Sequence, residues 1–339
     1  MYHGRDHVPP DNAVYAGLDC GGTHIRAALA DAGGVILSES VWQTVELQSK
    51  DSGLAGAIDE VVTKILSSPL AAGRRCMGIG IGVPFVCHGG RVHLNRNVKS
   101  LDPHLLVTGL KERTGADVRL LNDVKCAAYG EAWRGVARGV DPFLFVNIGT
   151  GLAAALYADG QAYSGAHNAA GEIAYLTLAG IMEHGRGPAV SVQDGHVYSD
   201  LDDRTGPLEE VMSGVGLAGR YMMLSADGSG SRATGSASPG IDAREVFRRS
   251  TLGDPVAASV VESGFGELLA AIGNMLTFAD PALLVIGGGV AGSLKPYKER
   301  IRDYLGQVVP FPPDIAWSEL DGRAGLLGAI RLAMSRQSV

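Results

Sequence analysis

Long apolar runs are missing from this 339-residue chain. No window approaches 18 uninterrupted apolar residues, so no membrane-spanning helix is expected. The opening MYHGRDHVPPDNAVY lacks the apolar core of a secretion signal. Cysteine is scarce: Cys20, Cys76, Cys87 and Cys126 are scattered and form no CxxC pair. That pattern argues against a disulfide framework and for reduced thiols in a cytoplasm. Basic runs are lacking as well. With 29 Lys and Arg against 36 Asp and Glu, the net charge is −7, and no nucleic-acid partner is expected. Two nucleotide-binding signatures are also absent. There is no GxxxxGK[ST] loop, which excludes a Walker-type NTPase, and no GxGxxG after a strand with an acidic residue about 20 positions on, so a Rossmann dehydrogenase is poorly supported.

Against those absences stand 46% hydrophobic and 19% charged residues, enough apolar material for a sizeable core. At roughly 100–200 residues per domain the length suggests two domains or one bilobal unit. The 48 glycines are about twice ordinary usage and point to tight turns or close backbone approaches to a ligand.

Along the chain, residues 1–13 read as a disordered arm. Apolar residues 13–18 read as a strand entering Asp19-Cys-Gly-Gly-Thr23, with strands at 25–30 and 34–39 after it. Helical spacing runs over 53–66. MGIGIGV, residues 77–83, reads as a buried strand, 118–121 as a short one, and 124–134 as a helix. A second cycle follows: a strand at 143–148 runs into Gly149-Thr-Gly151, and a hairpin spans 152–163. A long helix is expected over 262–278, a strand at 283–286 entering Gly287-Gly-Gly289, and a terminal helix at 325–334. The unit strand, glycine turn, hairpin thus occurs twice, at 14–39 and 143–163, which implies two related α/β lobes. Residues 224–240, rich in Gly and Ser, read as a surface loop.

Three glycine turns each follow an apolar strand, where backbone amides can approach an anion. Thr23 and Thr150 add hydroxyl donors, and Asp19 could organise Mg²⁺ through water. Asp123, between a strand and a helix, is placed either to accept a proton from an attacking hydroxyl or to cap the helix. Glu172 closes the Gly/Ala-rich segment Gly165–Glu172. It suits a polyol hydroxyl, or is a solvated loop carboxylate.

Six segments together resemble the ROK family of sugar kinases and repressors, over roughly 14–335: Asp19–Arg26, Leu121–Ala128, Ile148–Gly151, Gly165–Glu172, Leu208–Gly214 and Val285–Val290. The resemblance implies a two-lobed actin-like ATPase fold of ribonuclease H-like type, with ATP and a sugar in the interdomain cleft. The lobes would be 14–122, with helix 324–336 packing back on it, and 123–323. By position, Asp123 resembles the catalytic base, and Asn97, Asn122, Glu172 and Glu209 resemble sugar ligands. Gly21, Gly22, Thr23, Gly149, Thr150 and Gly151 would hold phosphates, and Gly287, Gly288 and Gly289 would flank the adenosine. A homodimer is implied by the same resemblance.

The chain departs from the family at its zinc site. Where the family has Gly-Glu-x-Gly-His, this chain reads Gly171-Glu-Ile-Ala-Tyr175, so Tyr175 stands at the His position. No Cys occurs between Thr177 and Glu210, and Gly206-Pro-Leu-Glu209 replaces the usual Gly-Cys-Leu-Glu. With these ligands missing, no zinc is expected, and His184 and His196 read as part of a solvated acidic loop. Tyr175 differs from His in size and reach, so the acceptor is expected to depart from glucose: an unusual hexose, an amino sugar or a C7 cyclitol. The function implied is an ATP- and Mg²⁺-dependent kinase of a primary hydroxyl. The alternatives are a sugar-responsive regulator, for which about 13 residues before the first strand leave no DNA-binding segment, and a non-catalytic sugar-binding descendant.

Overall fold

The computed structural model describes residues 12–22, 24–47, 53–94, 101–177, 191–193, 196–198, 206–225 and 241–335. The arm over residues 1–11, Thr23, Asn97, His184, most of the loop 177–208 and residues 226–240 therefore lie outside the described residues. So does the His196 side chain.

The chain divides into two units, residues 1–134 with 323–339 and residues 135–322. The boundary expected at 122/123 falls one helix later. The reason is physical: helix α4 (Asp123–Arg134) packs against the terminal helix of its own unit through the glycines described below.

The first unit is built on a five-stranded sheet of order β3-β2-β1-β4-β7. Its strands are β1 (Ala13–Cys20), β2 (His24–Asp31), β3 (Ile36–Gln43), β4 (Arg75–Val83) and β7 (Asp117–Asn122). β1 to β3 pair antiparallel as a meander, whereas β4 and β7 join parallel to β1. A short ribbon, β5 (Val86–His88) with β6 (Arg91–His93), follows β4. After β3 come a single turn, α1 (Thr44–Leu47), and α2 (Gly53–Leu66), which buries Leu54, Ile58, Val61, Val62 and Ile65. With α3 (Pro103–Thr114) it covers one face of the sheet, where Leu18, Ile25, Leu29, Ile79 and Ile81 make the core. The start of α3 is dictated locally. Asp102 accepts from the His104 and Leu105 N–H groups, Pro103 sits at the first helical position, and Gly115 closes the far end in a left-handed conformation.

The opposite face takes the terminal helix, α11 (Ala324–Met334), at backbone range. A Cβ on Gly80 would lie 2.0 Å from the Ala329 carbonyl oxygen, and one on Gly78 2.2 Å from that of Ala333. The alternation in MGIGIGV is thus isoleucine toward α2 and glycine toward α11. α4 and α11 cross at two more glycines: a Cβ on Gly328 would lie 1.6 Å from the Cys126 oxygen, and one on Gly130 2.1 Å from that of Ala324. Part of the glycine excess therefore serves helix packing rather than ligand approach.

The second unit repeats the topology, with sheet order β10-β9-β8-β13-β14. β8 (Phe143–Ile148), β9 (Leu152–Ala158) and β10 (Gln161–Ala162) form the meander. β13 (Leu283–Gly287) and β14 (Asp314–Trp317) add parallel. A ribbon, β11 (Ser191–Gln193) paired antiparallel with β12 (His196–Tyr198), comes in the chain between β10 and the helices α5 (Pro207–Met212), α6 (Gly214–Ser225) and α7 (Ala243–Thr251). α8 (Pro255–Ala279) is longer than 262–278, because Asp254 caps it and Pro255 starts it. By length and mean hydropathy, 1.4, α8 could cross a membrane, but Val260, Val261, Phe265, Leu268, Ile272 and Leu276 are buried in the core of this unit. α9 (Ala291–Leu294) and α10 (Lys298–Val308) lead to β14. The doubled sheet is that of the actin-like ATPase fold.

Candidate active site

In the first unit, Asp19 is the penultimate residue of β1, with Arg26 directly opposite on β2. The carboxyl is largely buried, and a Cβ on Gly325, in the first turn of α11, would lie 2.8 Å from its Cγ and both oxygens. Burial raises its pKa from 3.8 to about 6, with Arg26 pulling the other way. In the turn that follows, the Gly21 N–H donates to the His24 oxygen at 2.9 Å and its carbonyl accepts from the Thr44 hydroxyl at 2.9 Å. Gly21 is therefore occupied in closing the hairpin. Gly22 is exposed with open space about it. The Thr23 assignment lies outside the described residues, as does Asn97.

At the end of β7, Asn122 and Asp123 divide the work. The Asn122 Oδ1 accepts from the Val124 and Lys125 N–H groups at 3.0 and 3.2 Å, which makes Asn122 the N-cap of α4. Asp123 is then the first helical residue, its Oδ1 also accepting the Val124 N–H at 2.8 Å. The alternative left open by the sequence, that Asp123 is the cap, is resolved in favour of its neighbour. The side-chain oxygen of Asn122, a residue expected on a sugar, is engaged in capping. Beside them, Cys20 and Cys126 are buried, and burial with the nearby Asp19 and Asp123 charges pushes both thiols far above their usual range.

In the second unit the three-residue turn between β8 and β9 is tight. The Gly149 N–H donates to the Gly151 oxygen at 3.0 Å, so the Gly149 amide expected on a phosphate is already bonded. Among the described residues no acceptor takes the Thr150 or Gly151 N–H, and Thr150 is exposed. The Glu209 Oε2 accepts the Leu152 N–H at 2.9 Å, so this carboxylate lies against the turn.

Glu172 precedes a single 3₁₀ turn, Ile173–Tyr175, whose Ile173 and Ala174 are buried in the core. Gly171 has φ +91°, and a Cβ there would lie 1.9 Å from the Ala154 oxygen. Only glycine fits, and the contact fixes Glu172 beside β9. Tyr175 is half-buried. A Cβ on Gly206 would lie 2.1 Å from the Ala174 oxygen, so the start of α5 packs directly on this turn.

The third glycine turn splits its duties. Gly287 lies on the Phe145 ring, 2.7 Å from a built Cβ, and Gly288, at φ +96°, lies 2.5 Å by the same measure from the Ile148 oxygen. Both serve packing. Gly289 is exposed and open, its carbonyl accepting from the Arg244 Nε at 3.1 Å. Among the described residues no three His, Cys, Asp or Glu converge as a metal would need.

Comparisons with known proteins agree with one another. A family model described as "ROK family" matches residues 15–336. A glucokinase from Halalkalibacterium halodurans is 28% identical over 328 residues, 93% of each chain. An N-acetyl-D-glucosamine kinase from Yersinia enterocolitica is 28% identical over 331 residues, 95% of this chain and 100% of the relative. Among solved structures, the ROK hexokinase from Thermus thermophilus superposes with a TM-score of 0.71 at 28% identity, covering 94% of this chain and 97% of the other.

Proposed function

The chain belongs to the ROK family and is an ATP-dependent phosphotransferase with an alcohol acceptor. From that premise we propose that it phosphorylates the primary hydroxyl of a hexose or a sugar-like cyclitol. The observation that carries this reading is the division of labour at the start of α4. Asn122 caps the helix through the Val124 and Lys125 N–H groups, which places Asp123 in its first turn with Oδ1 on the Val124 N–H. In this reading an Asp123 carboxylate oxygen accepts the hydroxyl proton as the acceptor oxygen bonds to the γ-phosphorus. The bond from that phosphorus to the β,γ-bridging oxygen breaks, and ADP leaves.

To the second unit the reading assigns Glu172, Tyr175 and Glu209 toward the acceptor, and the Thr150 and Gly151 amides with the Thr150 hydroxyl toward phosphate oxygens. The open Gly289 suits an approach of the nucleoside. In the first unit Gly22 suits phosphate. Asp19 fits Mg²⁺ held through water: it is a single buried carboxylate whose ionised form is costly alone, and Mg²⁺ on nucleotide phosphates commonly takes only one or two carboxylates. When bound, the ion supplies charge neutralisation at the phosphates. Tyr175 in place of the family's His supports an acceptor that differs from glucose at the end recognised there, an amino sugar or C7 cyclitol included.

The test is ADP release with Mg²⁺-ATP across glucose, mannose, fructose, allose, N-acetylglucosamine, N-acetylmannosamine and valiolone-type cyclitols, on wild type and Asp123→Asn. Turnover of one acceptor, reduced at least about 10²-fold by Asp123→Asn with ADP affinity retained, is the expected result. Full activity in the variant removes Asp123 from the chemistry. Acceptor binding without phosphate transfer would replace the kinase by a sugar-responsive regulator.

A further inference from the structure

Family position makes Glu209 a ligand of the acceptor, yet its carboxylate is turned to the phosphate turn. Oε2 accepts the Leu152 N–H at 2.9 Å. The same oxygen lies 2.7 Å from where a Cβ on Gly151 would stand, so that glycine exists to admit it. The segment that follows continues the grip. The Ser213 N–H closes the end of α5 on the Glu209 main-chain oxygen at 3.0 Å, the Gly214 N–H donates to the Gly149 main-chain oxygen at 2.8 Å, and the Val215 N–H reaches the Thr150 main-chain oxygen at 3.5 Å. A Cβ on Gly214 would lie 2.8 Å from the Gly149 oxygen. Residues 209–215 thus hold all three residues of the turn and the first residue of β9.

The other end of α5 touches the acceptor side. Gly206 presses on the Ala174–Tyr175 peptide, two residues after Glu172. The loop carrying Glu172, helix α5 and the turn 149–151 are therefore joined by a chain of backbone contacts inside one unit, to which the Glu209 carboxylate adds its bond to the Leu152 N–H.

We propose that Glu209 is a positioning residue for the nucleotide-phosphate turn, so that nucleotide affinity depends on it even with no acceptor present. By holding the Leu152 N–H, the carboxylate fixes the peptide after Gly151. That sets the direction of the Thr150 and Gly151 N–H groups toward an anion. Acceptor contacts that shift α5 then change nucleotide affinity, and by reciprocity nucleotide changes acceptor affinity. The inference rests on the reading that this turn takes nucleotide phosphate.

The experiment is ADP binding by calorimetry in the absence of any acceptor, for wild type, Glu209→Gln, Glu209→Asp and Glu209→Ala. Loss of one well-placed hydrogen bond predicts about tenfold weaker ADP binding in Glu209→Ala and Glu209→Asp, the latter being too short to reach Leu152. Glu209→Gln keeps an amide oxygen for the same N–H and should stay within about threefold. If all three variants bind ADP like wild type and only the acceptor KM rises, Glu209 is an acceptor ligand alone; the inference falls and the kinase reading stands. If wild type binds ADP but transfers phosphate to no acceptor, while Glu209→Ala still weakens ADP, the inference stands and the kinase reading falls. Should Glu209→Ala not fold, hydrogen exchange at Leu152 in Glu209→Asp decides. About tenfold faster exchange at an unchanged melting temperature supports the proposal, and unchanged exchange overturns it.

Discussion

Asp19 shows what a single buried carboxylate implies. Its pKa is raised from 3.8 to about 6 by burial, so the folded chain holds its proton more tightly than the unfolded chain does. The stability this provides is complete below about pH 3.8 and is lost as pH rises through about 6. In the metal-free protein, Asp19→Asn should therefore raise stability at pH 8, on the order of 2 kcal/mol, with the gain shrinking as pH falls from 6 to 4. Melting curves in EDTA read this directly, and a gain that does not vary with pH contradicts it. Asp19 and Asp123 were legible in the sequence because a carboxylate at the end of an apolar strand stands out. The exchange of roles between Asn122 and Asp123 was not. Both residue types cap helices, and only the observed start of α4 shows which one does. The inward turn of Glu209 left no local signal either, since its partner Leu152 lies 57 positions away.

At the scale of elements, glycine has two opposite meanings in this chain. At Gly328, Gly130, Gly80 and Gly78 the absent Cβ is the space in which another backbone sits. Gly328→Ala would place a carbon 1.6 Å from the Cys126 oxygen, and neither backbone can yield without moving its helix. We expect a loss of about 3 kcal/mol or more, seen as a lowered urea midpoint or as failure to fold. Gly109, inside α3, and Gly306, inside α10, have nothing within 4 Å of a built Cβ. There alanine should stabilise by about 0.5–1 kcal/mol each, through helix propensity and a less free unfolded chain. A destabilised Gly109→Ala would count against this account. Most elements were legible from periodicity: α2 over 53–66 and β8 over 143–148 match the pattern residue for residue. α3 has weak amphipathic patterning, and its real signals were the Asp102-Pro103 start and Gly115 stop. α7 and α10 are short charged helices, and β14 is a four-residue edge strand, so none has an apolar stripe long enough to read.

For the whole molecule, the repeat visible as strand, glycine turn and hairpin became two sheets of the same order. The repeat alone does not show that the first unit is discontinuous, completed by residues from 323 onward; that was expected from the family resemblance, with helix 324–336 packing back on the first lobe. A chain ending at Gly322 would lack α11 and bare the glycine-lined face of β1 and β4. Calorimetry should then show a cooperative transition from residues 135–322 alone, with the N-terminal sheet binding a hydrophobic dye. A truncated chain that melts like the intact protein would refute this. The same discontinuity has a consequence for biosynthesis. Domains ordinarily fold from the N-terminus as they leave the ribosome, at about 5–20 residues per second. Here the first sheet emerges without the helix that closes it, and the contiguous unit of residues 135–322 has to be translated before that helix exists. For about 10–40 s at those rates the earlier half waits open while the later half can already fold. Order of synthesis and order of completion are thus reversed: the unit of residues 135–322 can be complete before residues 323 onward finish the unit that precedes it in the chain.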